Sequence, residues 1–446
     1  MTIPSDLIWQ AAQQLGAGEV ATDARVGRFL SAIEYDRYPP PASVSSLDGL
    51  RAHRASLLAV ASGMERIFQL NAPDAPGLVF FGGELNPALA SPIHSHARLV
   101  SVTGKGTSLR EAFESCVGEA SEYLSQLELD DDIVEKVDAD HALALLDDCS
   151  RLFVEGLLKQ AQLHASEVDW LPATRLSDGG RVFLPADLCW RRPDARRRLS
   201  PPFLLGTGTA AGPSFEAAVL HGVLELVERD ALGLWWKGGR RGRQAPAGSE
   251  AHERACELLA RLRHGRTTRE TWLLDVTSDI GVPCAVAASC DPGGANFAFG
   301  AGARLSMSSA LRSALLELCQ MELAYAAVAA KRSERGDAAL NEQDWLHLRR
   351  ATSINATTCE LLQPLPTLPP TSGSPQSLGA LISRLAELRI EVYVVEITRP
   401  RWAIPSVRLL APALQLEPSD LVSKRLRSAI AETGGGDRYT HGVSLL

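Results

Sequence analysis

Three times along the chain a short apolar run gives way to a glycine cluster and then to a long amphipathic stretch, and this recurrence constrains the fold more than any other feature. The first unit joins Leu99-Val100-Ser101-Val102 through Gly104-Lys105-Gly106 to a helical pattern from 109 to about 127. The second begins at Phe203-Leu204-Leu205, turns through Gly206-Thr207-Gly208-Thr209-Ala210-Ala211-Gly212 and predicts a helix from 214 to 236. Pro213 and Ser214 suit a helix start, and Phe215, Val219, Leu220, Val223, Leu226 and Val227 recur on one face. A third glycine turn, Gly300-Ala301-Gly302, precedes a helical stretch from 308 to about 330. Strands and helices alternating in this way predict the α/β or α+β class, while periodicity leaves the strand order open.

Runs at 272–276 and 284–287 read as buried strands, and 391–396 as a last strand. The glycine- and arginine-rich stretch 237–249 and the proline-rich stretch 364–375 read as loops. Residues 1–95, punctuated by Tyr38-Pro39-Pro40-Pro41 and Gly82-Gly83, hold no recurrent polar constellation. They read as an N-terminal accessory region beside a main domain over 96–446.

With 446 residues, 45% of them hydrophobic and 22% charged, the chain can bury a sizeable core. A net charge of -8 argues against a general nucleic-acid binder, which needs a basic face for phosphates. The opening Met1-Thr2-Ile3-Pro4-Ser5-Asp6 has no basic segment followed by an apolar run, and no stretch reaches roughly 18 uninterrupted apolar residues. A cytoplasmic location without membrane attachment is the expectation. The eight cysteines form no Cys-x-x-Cys pair and are expected to be reduced, mostly buried thiols.

Glu119 and Glu122 fall on the first helix, Glu225 and Glu228 on the second. Three-residue spacing puts each pair on one helix face, where like charges repel unless a cation or proton intervenes. Such pairs equally suit a solvated surface. If the two helices face each other, however, four carboxylates offer hard oxygen ligands for Mg²⁺, which in turn favours a phosphate-bearing substrate. Arg229 could then hold a phosphate, and the glycine turns at 104–106 and 206–212 could present backbone N–H groups to it. Neither turn has Walker spacing. His94-x-His96, read as two histidines on a strand, lacks a third ligand nearby, so no histidine metal site is expected. His221 is expected to pack or hydrogen-bond within its helix, and Arg240, Arg241 and Arg243 to lie in a solvated loop.

The run from Gly206 to Gly212, followed by Glu216-Ala217, Leu220-His221-Gly222 and Glu225-Leu226-Val227-Glu228-Arg229-Asp230-Ala231, resembles the hallmark segment of YcaO proteins. Gly104-Lys105-Gly106 with Ser115, Glu119 and Glu122 looks like that family's earlier nucleotide motif. Ala314-Leu315-Leu316-Glu317 with Gln320 looks like its third, and Asp275-x-Thr277-Ser278-Asp279-x-Gly281-x-Pro283 also fits. The similarity extends over roughly 98 to 415, in the family's order.

The resemblance implies helices enclosing ATP and Mg²⁺, and an ATP-dependent attack on a peptide amide. Glu119, Glu122, Glu225 and Glu228 would bind Mg²⁺, and Arg229 the phosphates. Lys105 and Ser115 would contact the nucleotide, and Glu317 with Gln320 the metal–phosphate region; Arg229, Glu225 and Glu228 would form the catalytic core. Azoline-forming members cyclise Cys, Ser or Thr of a ribosomally made precursor peptide, as in bacteriocin maturation; other members install backbone thioamides, and a non-catalytic scaffold subunit is a third possibility. Implied partners are the precursor peptide, a leader-binding protein and a flavin-dependent azoline dehydrogenase, in a homo- or hetero-oligomer. The chain departs from the family in three places: Tyr123 where arginine is usual, Glu216 alone where an acidic pair is common, and a tail, Arg438-Tyr439-Thr440-His441-Gly442-Val443-Ser444-Leu445-Leu446, without the prolines of many azoline-forming members.

Overall fold

In the computed structural model, which describes residues 2–18, 23–37, 46–135, 137–245, 248–366 and 373–445, the chain builds three antiparallel sheets faced by helices. Tyr38-Pro39-Pro40-Pro41, residues 246–247 of the arginine-rich stretch, 367–372 of the proline-rich stretch and Leu446 lie outside the described residues.

The first sheet has the order β1 (Thr2–Ile3), β2 (Arg66–Leu70), β3 (Val79–Leu85) and β4 (Val100–Gly106). It carries α1 (Ser5–Ala17), α2 (Ala24–Ala32), α3 (Leu47–Ser62) and α4 (Leu109–Gln126). Phe113 of α4 meets Phe29, Tyr35 and Phe81 edge-on at 6.2, 6.2 and 6.1 Å, so one aromatic cluster binds the N-terminal helices to α4. β3 and β4 pair along their whole length, from Val79 opposite Gly106 to Leu85 opposite Val100. The boundary at residue 95 thus falls between two paired strands of one sheet.

After α5 (Ala139–Ala144) and α6 (Asp148–Ala161) come β5 (Trp170–Arg175), β6 (Arg181–Pro185), β7 (Thr209–Ala211) and α7 (Phe215–Trp236). Next are β8 (Arg243–Gln244), α8 (Glu250–Arg263), β9 (Glu270–Asp275), β10 (Cys284–Cys290), β11 (Ala298–Ala303) and α9 (Met307–Arg335). The remainder is α10 (Glu342–Ser353), α11 (Leu378–Glu387), β12 (Tyr393–Glu396), β13 (Ser406–Leu410), α12 (Lys424–Thr433) and α13 (Asp437–Thr440). One sheet runs β11-β10-β9-β8 and the other β6-β5-β12-β13-β7. Every residue of β10 and β11 is buried, which explains their small and apolar composition. α9 has the length and apolar composition to cross a membrane, but its Leu311, Leu315 and Leu318 are core residues and its Glu322 is ion-paired to Arg263 at 2.5 Å.

Two of the three glycine clusters are not turns. Gly104 and Gly302 lie within β4 and β11, pressed against the helix that follows. A Cβ on Gly104 would stand 2.1 Å from the Ala112 carbonyl oxygen, and one on Gly302 2.5 Å from that of Ala310. Glycine is required there so that strand and helix can touch backbone to backbone. Only the middle cluster turns the chain, at Gly208 with φ +80°. His94 ends a 3-10 turn, not a strand, and its Nε2 is 2.8 Å from the Glu128 carbonyl oxygen, while His96 is exposed. All eight cysteines are free, and six are buried.

Candidate active site

Each of the helices α4, α7 and α9 begins at a serine whose hydroxyl accepts a backbone N–H: Ser108 from Glu111, Ser214 from Ala217, Ser306 from Ser309. From these caps the helices present one ladder of side chains. Seven residues on stand Ser115, His221 and Ser313; eleven on, Glu119, Glu225 and Glu317; fourteen on, Glu122, Glu228 and Gln320. Steps of four and three keep the rungs on a single helix face. All but Gln320 line one open cleft of about 970 Å³, together with Lys105 and Arg229.

The carboxylates tie the three units together. Glu119 Oε2 accepts from the Thr103 N–H at 2.9 Å, and Glu317 Oε2 from the Ala301 N–H at 3.3 Å, each holding its helix to the preceding strand. Glu122 Oε1 accepts from the Ala211 N–H at 3.0 Å, joining α4 to β7, and Glu228 Oε2 from the Ala303 N–H at 2.9 Å, joining α7 to β11. In these four residues the second oxygen has no hydrogen-bond partner among the described residues. Glu225 differs: it accepts from the Gly208 N–H at 3.1 Å through one oxygen and from Arg229 at 3.3 Å through the other.

Enclosure among like charges makes ionisation unfavourable for Glu119, Glu122 and Glu228. Enclosure, then Glu317, pushes Glu228 up to about 7, with Arg229 and Arg304 opposing. Enclosure raises Glu122 well above the usual carboxylate range despite the Ala211 N–H, and Glu225 and Glu119 add to the rise. Glu119 is raised by enclosure as well, against the Thr103 N–H and hydroxyl and Lys105, with Glu225 again adding. Burial works to lower Arg229, but Glu225, Glu228 and Glu317 hold it above its ordinary value. Glu225 thus acts on both carboxylates of α4, so the two pairs face a common space and the solvated-surface reading of them falls. No three acidic, imidazole or thiol groups among the described residues converge closely enough to chelate a metal unaided. The free oxygens nevertheless suit Mg²⁺, which commonly takes one or two carboxylates and completes its shell with phosphates and water.

Gln320 stands outside the cleft wall, contrary to expectation, because β4 intervenes: its amide donates to Thr103 Oγ1 at 3.0 Å, behind Glu119. His221, expected to be structural, lines the cleft, and enclosure followed by Arg304 lowers its pKa. The sequence reading missed Arg191, Arg304 and Arg312 in the wall. Arg312 pairs with Glu111 at 2.6 Å, whereas Arg191, Arg304 and Lys105 have no carboxylate within ion-pair distance among the described residues. Arg304 immediately follows β11, a position legible once a strand end is known to face the cleft.

Crowded carboxylates beside cations that have no carboxylate partner among the described residues are the kind of equipment a phosphoryl-transfer enzyme uses for a metal-bound polyphosphate. A profile of the family described as YcaO cyclodehydratase, ATP- and Mg²⁺-binding, matches residues 103–415, and the chain belongs to that family. It is therefore an ATP-dependent enzyme of the YcaO cyclodehydratase type, with ATP and Mg²⁺ as its cofactors. Among solved structures, a heterocyclase in complex with substrate and cofactor superposes with a TM-score of 0.63 at 19% identity, covering 92% of this chain and 59% of its own. YcaO from Methanopyrus kandleri bound with AMPPCP and Mg²⁺ gives 0.55 at 20% identity, over 82% of this chain and 90% of that one. The E. coli microcin synthetase McbBCD complex with pro-MccB17 bound gives 0.57 at 13% identity, over 78% and 88%. At these identities the likenesses show the fold.

Proposed function

We propose that this chain converts Cys, Ser or Thr residues of a ribosomally made precursor peptide to thiazolines or oxazolines. The observation behind this reading is the cleft in which Glu119, Glu122, Glu228 and Glu317 each direct one unengaged oxygen among unpaired cations. Bound ATP with Mg²⁺ would supply a phosphoryl group to the amide oxygen, turning a poor leaving group into a good one. The protein's part is to hold and orient. Glu119 and Glu122 from one side, with Glu228 and Glu317 from the other, would hold the metal; Glu225, expected among the ligands, has both oxygens engaged by Gly208 and Arg229 and would instead fix Arg229, which would neutralise charge developing on the phosphate. Lys105, near the end of β4, and Ser115, in the first half of α4, would contact the rest of the nucleotide.

Partners are part of the proposal. A substrate-bound heterocyclase and a synthetase complex holding its pro-peptide share this fold. Within 1–95, the described residues build the sheet and helices that support α4; a separate protein would capture the leader, and tethering would raise the local concentration of the core peptide to the millimolar range with a short flexible link. A flavin-dependent dehydrogenase would oxidise the azolines further. The deciding experiment is co-expression with candidate precursor peptides, followed by mass spectrometry. Loss of one water per modified residue supports the proposal, and exchange of oxygen for sulfur would replace it with thioamidation.

A further inference from the structure

Arg191 enters the cleft from the segment after β6, and no carboxylate among the described residues pairs with its charge. Its backbone is clamped to the end of α4: its N–H donates to the Gln126 carbonyl at 2.8 Å, and its carbonyl accepts from the Glu128 N–H at 3.1 Å. The guanidinium lies over the Tyr123 ring, 4.6 Å from the centroid. On its other side Nη2 reaches the glycine turn, 3.6 Å from where a Cβ on Gly206 would be. Its neighbour Arg192 shows what pairing looks like here, with Glu128 at 3.1 Å, Asp169 at 2.5 Å and Asp187 at 3.5 Å. Arg191 has no ion pair among the described residues, and its Nε is buried without a hydrogen-bond partner. Behind it Arg408, fully buried, adds a second positive charge.

We infer that Arg191 is a ligand of the terminal phosphate of the bound nucleotide, supplying from a loop the cation that Tyr123 does not supply from α4. The inference rests on ATP occupying the cleft. Along α4, Ser115 and Tyr123 are about 12 Å apart at ordinary helical rise, with Glu119 and Glu122 between them. A nucleotide whose remainder lies by Ser115 and Lys105, and whose metal sits at the carboxylates, extends its last phosphate toward Tyr123 and Arg191. The planar fork over the aromatic ring is pre-aimed, and a dianionic phosphate relieves the repulsion from Arg408.

The test is calorimetric binding of a non-hydrolysable ATP analogue, ADP and AMP, each with Mg²⁺, to the full chain and its variants. Arg191→Ala should weaken the ATP analogue about tenfold or more while AMP affinity stays within about twofold, since a charged hydrogen bond accounts for that range. Adding Tyr123→Arg to Arg191→Ala should recover most of the loss, because the cation returns at the same level of the cleft. Arg191→Gln, which keeps much of the side chain's length, serves if the alanine variant melts early. Equal weakening of all three nucleotides would place Arg191 at the nucleoside and overturn the inference, as would an unchanged affinity for the ATP analogue. Failure of the unmutated chain to bind any of the three would overturn the ATP reading, and this inference with it.

Discussion

The β4–α4 and β11–α9 units present their carboxylates by local packing, whereas α7 is positioned through bonds to its neighbours. In the first two, a strand glycine lets the helix lie flush, and the strand's own N–H group, from Thr103 or Ala301, holds the glutamate eleven residues past the cap. In the third, Gly208 turns the chain and its N–H holds Glu225, while Glu228 reaches across to β11 and β7 receives Glu122 from α4. The same ladder of side chains is therefore rigid in two places and cross-linked in the third. Substitutions should separate the two modes.

The largest effect is expected at the flush contacts. Gly104→Ala and Gly302→Ala place a Cβ against helix backbone that cannot yield, and should cost about 3 kcal/mol or more in urea unfolding. Gly118→Ala, on α4 with no atom within 4 Å of the new Cβ, should instead stabilise by about 0.5–1 kcal/mol. If Gly104→Ala proved as mild as Gly118→Ala, the rigid mode would be refuted.

Next in size is the cross-link at Glu228. Glu228→Gln keeps an oxygen for the Ala303 N–H but loses the charge, so modification should fall on the order of 100-fold with the fold intact. Glu228→Ala also removes the bridge to β11 and should lower the melting temperature as well. Equal melting of the two variants would show that the cross-link holds nothing.

Much of this site is legible in the sequence because it is local. Three-residue spacing puts Glu119 with Glu122 and Glu225 with Glu228, and Ser214 followed by an apolar period marks the start of α7. The role of glycine is not legible: Gly104-Lys105-Gly106 and Gly206-Thr207-Gly208 look alike, yet one is strand and the other turn, and only the packing of α4 against β4 decides between them. Arg191 was hidden for another reason. It belongs to an aperiodic stretch, and its place in the cleft depends on a backbone bridge to α4 formed more than sixty residues away in sequence.

The crowding itself sets a pH dependence. Glu228 titrates near 7 in the folded protein against an ordinary 4.5, so between those values the folded state binds more protons than the unfolded one. Stability of the nucleotide-free protein should therefore fall as pH rises across that window, and Glu228→Gln should flatten the slope. Affinity for Mg²⁺ with nucleotide should move the opposite way, strengthening toward and just above pH 7 as the carboxylate ionises. Thermal melts and nucleotide titrations at a series of pH values check both signs. Parallel pH slopes in the variant and the parent would assign the titration to another group, with Glu122 the first candidate.

The smallest effect concerns two side chains on the same rung. Glu122 and Gln320 each stand fourteen residues past a capping serine, but Glu122 lines the cleft while Gln320 stops behind Thr103. Gln320 can act only by steadying the Thr103 hydroxyl, which donates to Glu119 at 3.1 Å. Gln320→Ala removes one neutral hydrogen bond two contacts from the metal, so KM for ATP should rise about fivefold with kcat nearly unchanged. Glu122→Gln, by contrast, removes a candidate metal ligand and should lower kcat on the order of 100-fold. A double variant of Gln320 and Thr103 should then be no worse than Thr103→Val alone, since both losses reach the metal through Glu119. Additive losses would mean that Gln320 touches the nucleotide directly, and the rung would then be functionally equivalent in the two helices.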